Sequence, residues 1–409
     1  MTRRKVMVVT GIRSEYFLLE PLLEGIEASS KLELIIVATG AHLSPRYGYT
    51  LDQIKNRFND VETILSLFDT DELIGRVKGL GLITMELAEI VRRRKPDFLL
   101  VLGDREESLA VATVGNYLNI PVVHLGGGDR VIGNVDDHVR HAVTKMAHLH
   151  CPFTVQSGRR ILQMGEEKWR VTVTGSPGLD AIKSLPDLSL EELETSLGIS
   201  LGAKYFVLLQ HPISSEFSEG ASQIDVTLQA IVKVGLPTVI IKPNSDPGTR
   251  RMIEVIDEYV RKYTFLRAYT NLPRLQFVNL LRHAVALVGN SSAGIHEAPF
   301  LHLPAVNIGN RQKEREHSNN IIFVPFDVDT IAMVLEKLAF DTEYRLQFSK
   351  CISIYGDGNA VPRIVHLLES VEIDRKLLYK DFIDLPEDNW EWGNGEPECF
   401  YNSRSGHQP

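Results

Sequence analysis

Short β-branched runs alternate with helix-patterned segments from the first residues of this chain, and no other feature restricts its fold so strongly. Val6 to Val9, Leu34 to Val37, Phe98 to Leu102 and Val122 to His124 are apolar runs too short for helices. Each is followed by a polar or glycine-bearing turn and then a helix-like stretch, the pattern of a parallel sheet wrapped by helices. The rhythm restarts after residue 200, in Phe206 to Leu209, Thr238 to Ile241, Ala284 to Val288 and Pro304 to Ile308. The chain therefore reads as α/β with two Rossmann-like units, 1–185 and 186–365. Their joint falls near residues 183 to 203, where Pro186 precedes Ser189, a helix cap followed by Glu191 and Glu192. Beyond Asp381 the periods end among Trp390, Trp392, prolines and glycines, so an irregular tail is expected. No internal repeat in the letters accompanies the repeated architecture.

At 409 residues the length suits two or three domains with cores of their own. The charge balance, 44 Lys+Arg against 53 Asp+Glu for a net −9, argues against nucleic acid or an anionic membrane as partner. It still permits a local basic pocket for phosphate. Cys151, Cys351 and Cys399 are odd in number and form no CxxC, which reads as a reduced, intracellular chain. The basic start, Met1 to Lys5, leads into an apolar run broken by Gly11 and Arg13, so a buried strand fits better than a signal peptide. No stretch approaches the roughly 20 apolar residues of a membrane span. Cytoplasm is the expected location.

Ligands of open parallel sheets sit beyond the carboxyl ends of the strands, and two such units facing each other make a cleft. Candidate functional residues follow strands accordingly. Gly11-Ile-Arg-Ser-Glu is a turn into a helix whose N-terminus, with Arg13, suits an anion. The alternative is a surface Arg13 with Ser14 as helix cap. Asp104, after Gly103, is a candidate acid or base and Arg105 a phosphate or hydroxyl ligand; the competing reading makes Asp104 a helix cap. Three glycines, Gly126 to Gly128, allow close backbone approach before Asp129. Asp136 and Asp137 stand four residues before Arg140 and His141, either as a solvated ion-paired helix face or as carboxylates with separated acid and base roles.

In the second unit His211 ends a strand, and Asn244 lies in the polar turn after the next. Ser291 and Ser292, in Asn290-Ser-Ser-Ala-Gly, can present hydroxyls and backbone donors to phosphate, while Glu297 can accept two ribose hydroxyls. A capping-only role for the serines is the alternative. Arg311 begins a basic run that ends at Arg315, and arginine matches phosphate oxygens bidentately. No GxGxxG follows a strand, so NAD is not expected. His138, His141, His148 and His150 lack HExxH or paired cysteines, so they read as core or supporting histidines and no metal is expected. No cofactor is called for.

The ordered set Gly11-Ile-Arg-Ser-Glu, Thr39-Gly-Ala-His-Leu-Ser-Pro, Leu102-Gly-Asp-Arg, Asp136-Asp-His-Val-Arg-His-Ala-Val-Thr-Lys, His211-Pro, Asn290-Ser-Ser-Ala-Gly-Ile-His-Glu-Ala-Pro, Gly309-Asn-Arg-Gln and Tyr355-Gly-Asp-Gly-Asn-Ala resembles the UDP-N-acetylglucosamine 2-epimerase family. It covers residues 4 to about 370, and Leu-Gly-Asp-Arg with Arg-His-Ala-Val-Thr-Lys resembles the hydrolysing branch, which serves sialic acid-type sugars. The resemblance implies the two-domain glycosyltransferase-B fold, a crossing helix within 366–409, nucleotide binding by the second domain and a homo-oligomer. By the same resemblance Arg13, Ser291, Ser292, Glu297 and Arg311 hold UDP with Asn244 nearby, Arg105 contacts the sugar, and Asp104, Asp136 and His211 are catalytic. Ile12, Glu106 and Gly126-Gly-Gly-Asp129 depart from the family pattern of Thr, an aromatic and His-Gly-Gly-Glu. Asp129 keeps the charge and is one methylene shorter.

The implied reaction converts UDP-N-acetylglucosamine, or a close relative, to N-acetylmannosamine and UDP. The C2–H bond beside no carbonyl is barely acidic, so departure of UDP must lead, followed by loss of the proton to give 2-acetamidoglucal and addition of water. Two faces of C2 require two acid–base groups, assigned here to Asp104 and Asp136 or Asp129. A non-hydrolysing epimerase, a glycosyltransferase of the same fold and a silent sugar-nucleotide sensor are the alternatives.

Overall fold

The computed structural model describes residues 3–45, 48–68, 74–130, 135–212, 219–243, 249–313 and 315–384. One sheet holds β1 (Arg4–Thr10), β2 (Leu32–Thr39), β3 (Val61–Ile64), β4 (Phe98–Leu102), β5 (Val122–Leu125) and β6 (Leu149–Cys151), in the order β3-β2-β1-β4-β5-β6. The other holds β7 (Phe206–Leu209), β8 (Thr238–Ile241), β9 (Leu266–Tyr269), β10 (Ala286–Gly289), β11 (Ala305–Ile308) and β12 (Ile321–Val324), in the order β12-β11-β10-β7-β8-β9. All pairings between these strands are parallel. Counted from its own first strand, each sheet runs 3-2-1-4-5-6, so the winding reverses between β1 and β4 and again between β7 and β10. Crevices for ligands open at such reversals.

Burial on both faces explains why the strands read as unbroken apolar runs. Along β1, Val6 and Val8 enter one core with Leu19, Leu22, Leu23 and Ile26 of the helix Arg13–Ala28. Met7 and Val9 enter another, with Ile83, Leu87 and Ile90 of the helix Ile74–Arg94. The strands that the sequence reading did not find, β3, β6, β9 and β12, are the four sheet edges. An edge strand pairs on one side only and is short, so its apolar signal is weak; β9, Leu-Arg-Ala-Tyr, buries only Leu266 fully.

Ser189 caps the helix Leu190–Leu197 in a reciprocal box with Glu192, and Gly198 ends it in the left-handed conformation. The helix Ala360–Ser370 returns from the second lobe to the core of the first, where Ala360, Ile364 and Leu368 are buried. It starts before residue 366. Asp180 accepts from the backbone N–H of Ala360 and Val361 at 3.0 and 2.9 Å, while Arg4 donates to the carbonyls of Leu368 and Val371 at 2.9 and 2.7 Å. Opposite charges thus meet the two ends of the helix dipole. Beyond it, fully buried Arg170 donates to the carbonyls of Lys376, Leu377 and Tyr379 and holds this strap on the first lobe. The strap can be followed to residue 384, and residues 385–409 of the expected tail lie outside the described residues. Among the described residues no helix is long and apolar enough to cross a membrane.

Candidate active site

The end of β1 meets the end of β4 through buried charge. Glu107 occupies the space beneath Gly11, where any Cβ would fall 1.9 Å from its Oε1. Arg105 Nε lies 3.2 Å from Glu107 and 4.0 Å from Glu15, and its Nη2 lies 3.5 Å from Glu106. Burial raises the Glu15 carboxyl well above the usual range, with the Glu107 charge adding to it; burial also raises Glu107. Arg105 is therefore turned toward carboxylates at the base of the cleft. Arg13 is exposed at the start of its helix, with its guanidinium 6.0 Å from the Phe17 ring. Ser14 does not cap that helix: Ile12 is the N-cap and no side chain bonds there.

Gly103 turns the chain with φ 76°, and Asp104 follows. Asp104 is no helix cap either, since Arg105 occupies that position without a side-chain bond. Its carboxylate pairs with Arg140, which also donates to Gly126 O at 3.0 Å and stands 3.7 Å from Asp129. The solvated-face reading of Arg140 is thereby corrected: the residue is 9% exposed and points inward. Asp136, on the helix Val135–Met146, is raised by burial and by the Asp104 charge, with Arg76 at 3.7 Å opposing. Asp129 follows Gly126 and Gly128, both at positive φ. Burial alone would raise its carboxyl, yet the Arg315 and Arg140 guanidiniums outweigh burial and hold it below the usual range.

Neutral histidines pin this scaffold. His124 Nε2–H donates to Gly103 O at 2.7 Å, which fixes the tautomer and leaves Nδ1 to accept from Thr144 at 3.2 Å. Burial pushes His124 down to about 3. His148 accepts from Val122 N, His150 meets Glu166 at 2.9 Å, His141 faces Asp137 at 3.7 Å, and His138 is exposed. These four histidines do not converge.

In the second lobe the Asn290 amide joins two strand ends, donating to His211 O at 2.9 Å and accepting from His211 N at 2.8 Å. Gly289 permits it: φ is 123°, and a Cβ there would fall 2.2 Å from Leu209 O. Arg311 and Gln312 each donate to Asn290 O at 3.0 Å. Ser291 accepts from Ala293 N at 3.2 Å, and Ser292 precedes the helix Ala293–Phe300 with no side-chain cap bond. Glu297, one turn along, is raised by burial, against the pull of Arg274. Asn244 lies outside the described residues.

The predicted residues thus gather at the two reversal points. Asp104 and Asp129 face Arg140 on one side, with Asp136 near enough to feel the Asp104 charge, and His211 and Arg311 bond to Asn290 on the other, with Ser291 and Ser292 next along the chain. The lobes meet where Arg315 donates to Asp129 at 3.0 Å and Thr154 donates to Glu316 at 2.6 Å. Sequence reasoning gave no role to Glu15, Glu107, Asn290 or His296, and did not foresee the carboxylate partners of Arg140 and Arg315. Each was within a motif, but only folding reveals its partner.

The family profile described as UDP-N-acetylglucosamine 2-epimerase matches residues 24–369. The chain belongs to the UDP-N-acetylglucosamine 2-epimerase family. It is 34% identical over 381 residues to UDP-N,N'-diacetylbacillosamine 2-epimerase (hydrolyzing) of Legionella pneumophila, covering 92% of this chain and 98% of that protein. It is 33% identical to GDP/UDP-N,N'-diacetylbacillosamine 2-epimerase (hydrolyzing) of Campylobacter jejuni, covering 94% and 100%. The crystal structure of UDP-GlcNAc 2-epimerase from Neisseria meningitidis bound to UDP-GlcNAc superposes with a TM-score of 0.75 at 20% identity, over 89% of this chain and 99% of that one. This epimerase therefore has the two-lobed glycosyltransferase-B fold.

Proposed function

We propose that the chain is a hydrolysing 2-epimerase that converts a UDP-linked 2-acetamido sugar to UDP and the free manno-configured sugar. UDP-N-acetylglucosamine is one substrate to test, and the names of the two bacterial relatives favour UDP-N,N'-diacetylbacillosamine as the other. The observation that carries the reading is the disposition of Asp104 and Asp136, two carboxyls in different electrostatic surroundings on one side of the cleft. Arg140 pairs with Asp104, while burial and the Asp104 charge raise the Asp136 carboxyl.

UDP binds across the second lobe, with Ser291, Ser292, Arg311 and Asn244 around phosphate and base, Glu297 at the ribose, and Arg13 reaching from the first lobe. The C1–O bond breaks first and its electron pair leaves on the β-phosphate oxygen. Positive charge growing at C1 acidifies C2–H, while Arg13, Arg311 and His211 balance the charge on UDP. One carboxylate takes the C2 proton and the C1=C2 double bond forms. The other carboxyl then delivers a proton to the opposite face of C2 while water adds at C1, and the proton lost by water restores the acid. Arg105 orients the sugar. Asp129, held by two guanidiniums, balances charge and does not donate a proton.

Incubation with each UDP-sugar in deuterated water, followed by NMR, tests the reading. Free UDP and one solvent deuterium at C2 of a released manno sugar are expected. A nucleotide-linked epimer would mean the non-hydrolysing reaction, dependence on an added acceptor would mean a transferase, and an unconsumed but bound nucleotide sugar would mean a sensor.

A further inference from the structure

We propose that Arg315, carried by the second lobe, is a positioning residue for the carboxylate cluster of the first: by occupying Asp129 it leaves Arg140 to Asp104. The inference rests on the function proposed above and adds to it a residue from the lobe opposite the proton-transfer groups.

The segment after β11 makes two sets of contacts in quick succession. Arg311 and Gln312 grip Asn290 O, beside Ser291 and His211. Arg315 then reaches Asp129 at 3.0 Å, and Glu316 accepts from Thr154 of the first lobe. Thr154 caps the helix Val155–Gln163, whose Arg160 donates to Gly128 O. Two neighbouring residues of one lobe thus hold the Gly126–Asp129 loop of the other, through its carboxylate and through the helix beneath it.

Every charged or titratable group facing Asp129 bears on this. Arg315 and Arg140 stand at 3.0 and 3.7 Å. His296, next to Arg315 Nη2 at 3.3 Å, is kept neutral by burial and packs at a tilt against Tyr355 with ring centroids 4.1 Å apart. Asp104 lies beyond Arg140. Without Arg315, Asp129 would be left with Arg140 as its nearest cation and would compete with Asp104 for it. A purely structural arginine is expected to have its buried donors matched. Arg315 Nε is buried with no hydrogen-bond partner among the described residues, and an unmatched buried donor costs about 1–3 kcal/mol. The guanidinium is placed for Asp129 despite that cost.

Arg315→Gln and Arg315→Lys in the full chain test the proposal. For Gln the expected result is a fall in kcat of about tenfold or more, with the UDP dissociation constant within about twofold. The acid limb of the kcat profile moves to higher pH as Asp129 draws Arg140 away from Asp104. Lys, which keeps the charge without the planar fork, restores part of kcat. Amide exchange of residues 124–130, read without substrate, quickens in the Gln variant. That readout stands even if the wild type turns over neither UDP-sugar, an outcome that would remove the proposed function alone. Unchanged kcat, pH profile and exchange would overturn the positioning role, as would UDP affinity falling in step with kcat, which would make Arg315 a nucleotide ligand. Should the Gln variant fail to fold, the Lys variant and Glu316→Gln decide by the same measurements: loss of kcat and faster exchange support the role, and wild-type values overturn it.

Discussion

Replacing Gly289 by alanine tests how the second lobe brings its strand ends together. Gly289 closes β10 at φ 123°, and a Cβ there would lie 2.2 Å from Leu209 O and 2.7 Å from Leu209 C, across the β7–β10 ladder. An alanine held at such a φ costs about 1–3 kcal/mol. Pushing the Leu209 carbonyl back to an ordinary contact requires a shift of roughly an ångström in packed backbone, another ~1–3 kcal/mol. Gly198 is the matched control: its φ is 66° and a Cβ would meet nothing within 4 Å. Alanine there bears only the left-handed cost, about 1–2 kcal/mol. By calorimetry Gly289→Ala should melt lower than Gly198→Ala, by up to the order of 10 °C. Because Asn290 and His211 adjoin the disturbed carbonyl, titration calorimetry should find UDP affinity reduced in Gly289→Ala and preserved in Gly198→Ala. Equal melting of the two variants, or wild-type UDP affinity in the first, would refute the close-approach argument.

Asp104→Asn should abolish UDP release and C2 exchange while sparing UDP binding; unchanged turnover would remove Asp104 from the reaction. Arg76 opposes the rise of the Asp136 carboxyl, so Arg76→Gln should raise it further and shift the alkaline limb of kcat to higher pH, whereas an unmoved limb would deny Asp136 the acid role. Burial places His42 and His148 at about 4 and His124 at about 3, below the unfolded value near 6.5. Between those values the unfolded chain binds more protons, so stability is fully present above about pH 6.5 and declines as pH falls, by about 1.4 kcal/mol per pH unit for each histidine. His148→Asn keeps an acceptor for Val122 N and should flatten the fall of melting temperature between about pH 6.5 and 5; an unchanged slope would show that His148 does not titrate as described.

The interior strands were legible because burial on both faces demands apolar letters at every position, as in Val6 to Val9 and Phe206 to Leu209. Strand-end positions such as Asp104, His211 and Ser291 were legible for a related reason: they stand where a parallel sheet hands its chain to a helix. Spacing alone left a solvated, ion-paired face open for Arg140, because spacing along one helix says nothing of what another strand brings to it. Its partners, Asp104, Gly126 and Asp129, come from the turns after β4 and β5.

Local sequence by itself determined the repeated α/β rhythm, the Ser189 cap and the chemical kinds of side chain at each strand end, since those depend on neighbours a few residues away. Which edges the sheets have, which carboxyls burial and neighbouring charge raise, and that Arg315 meets Asp129 across the cleft were decided only by the tertiary structure. Charge and desolvation act through space, and the groups that settle them lie far apart along the chain.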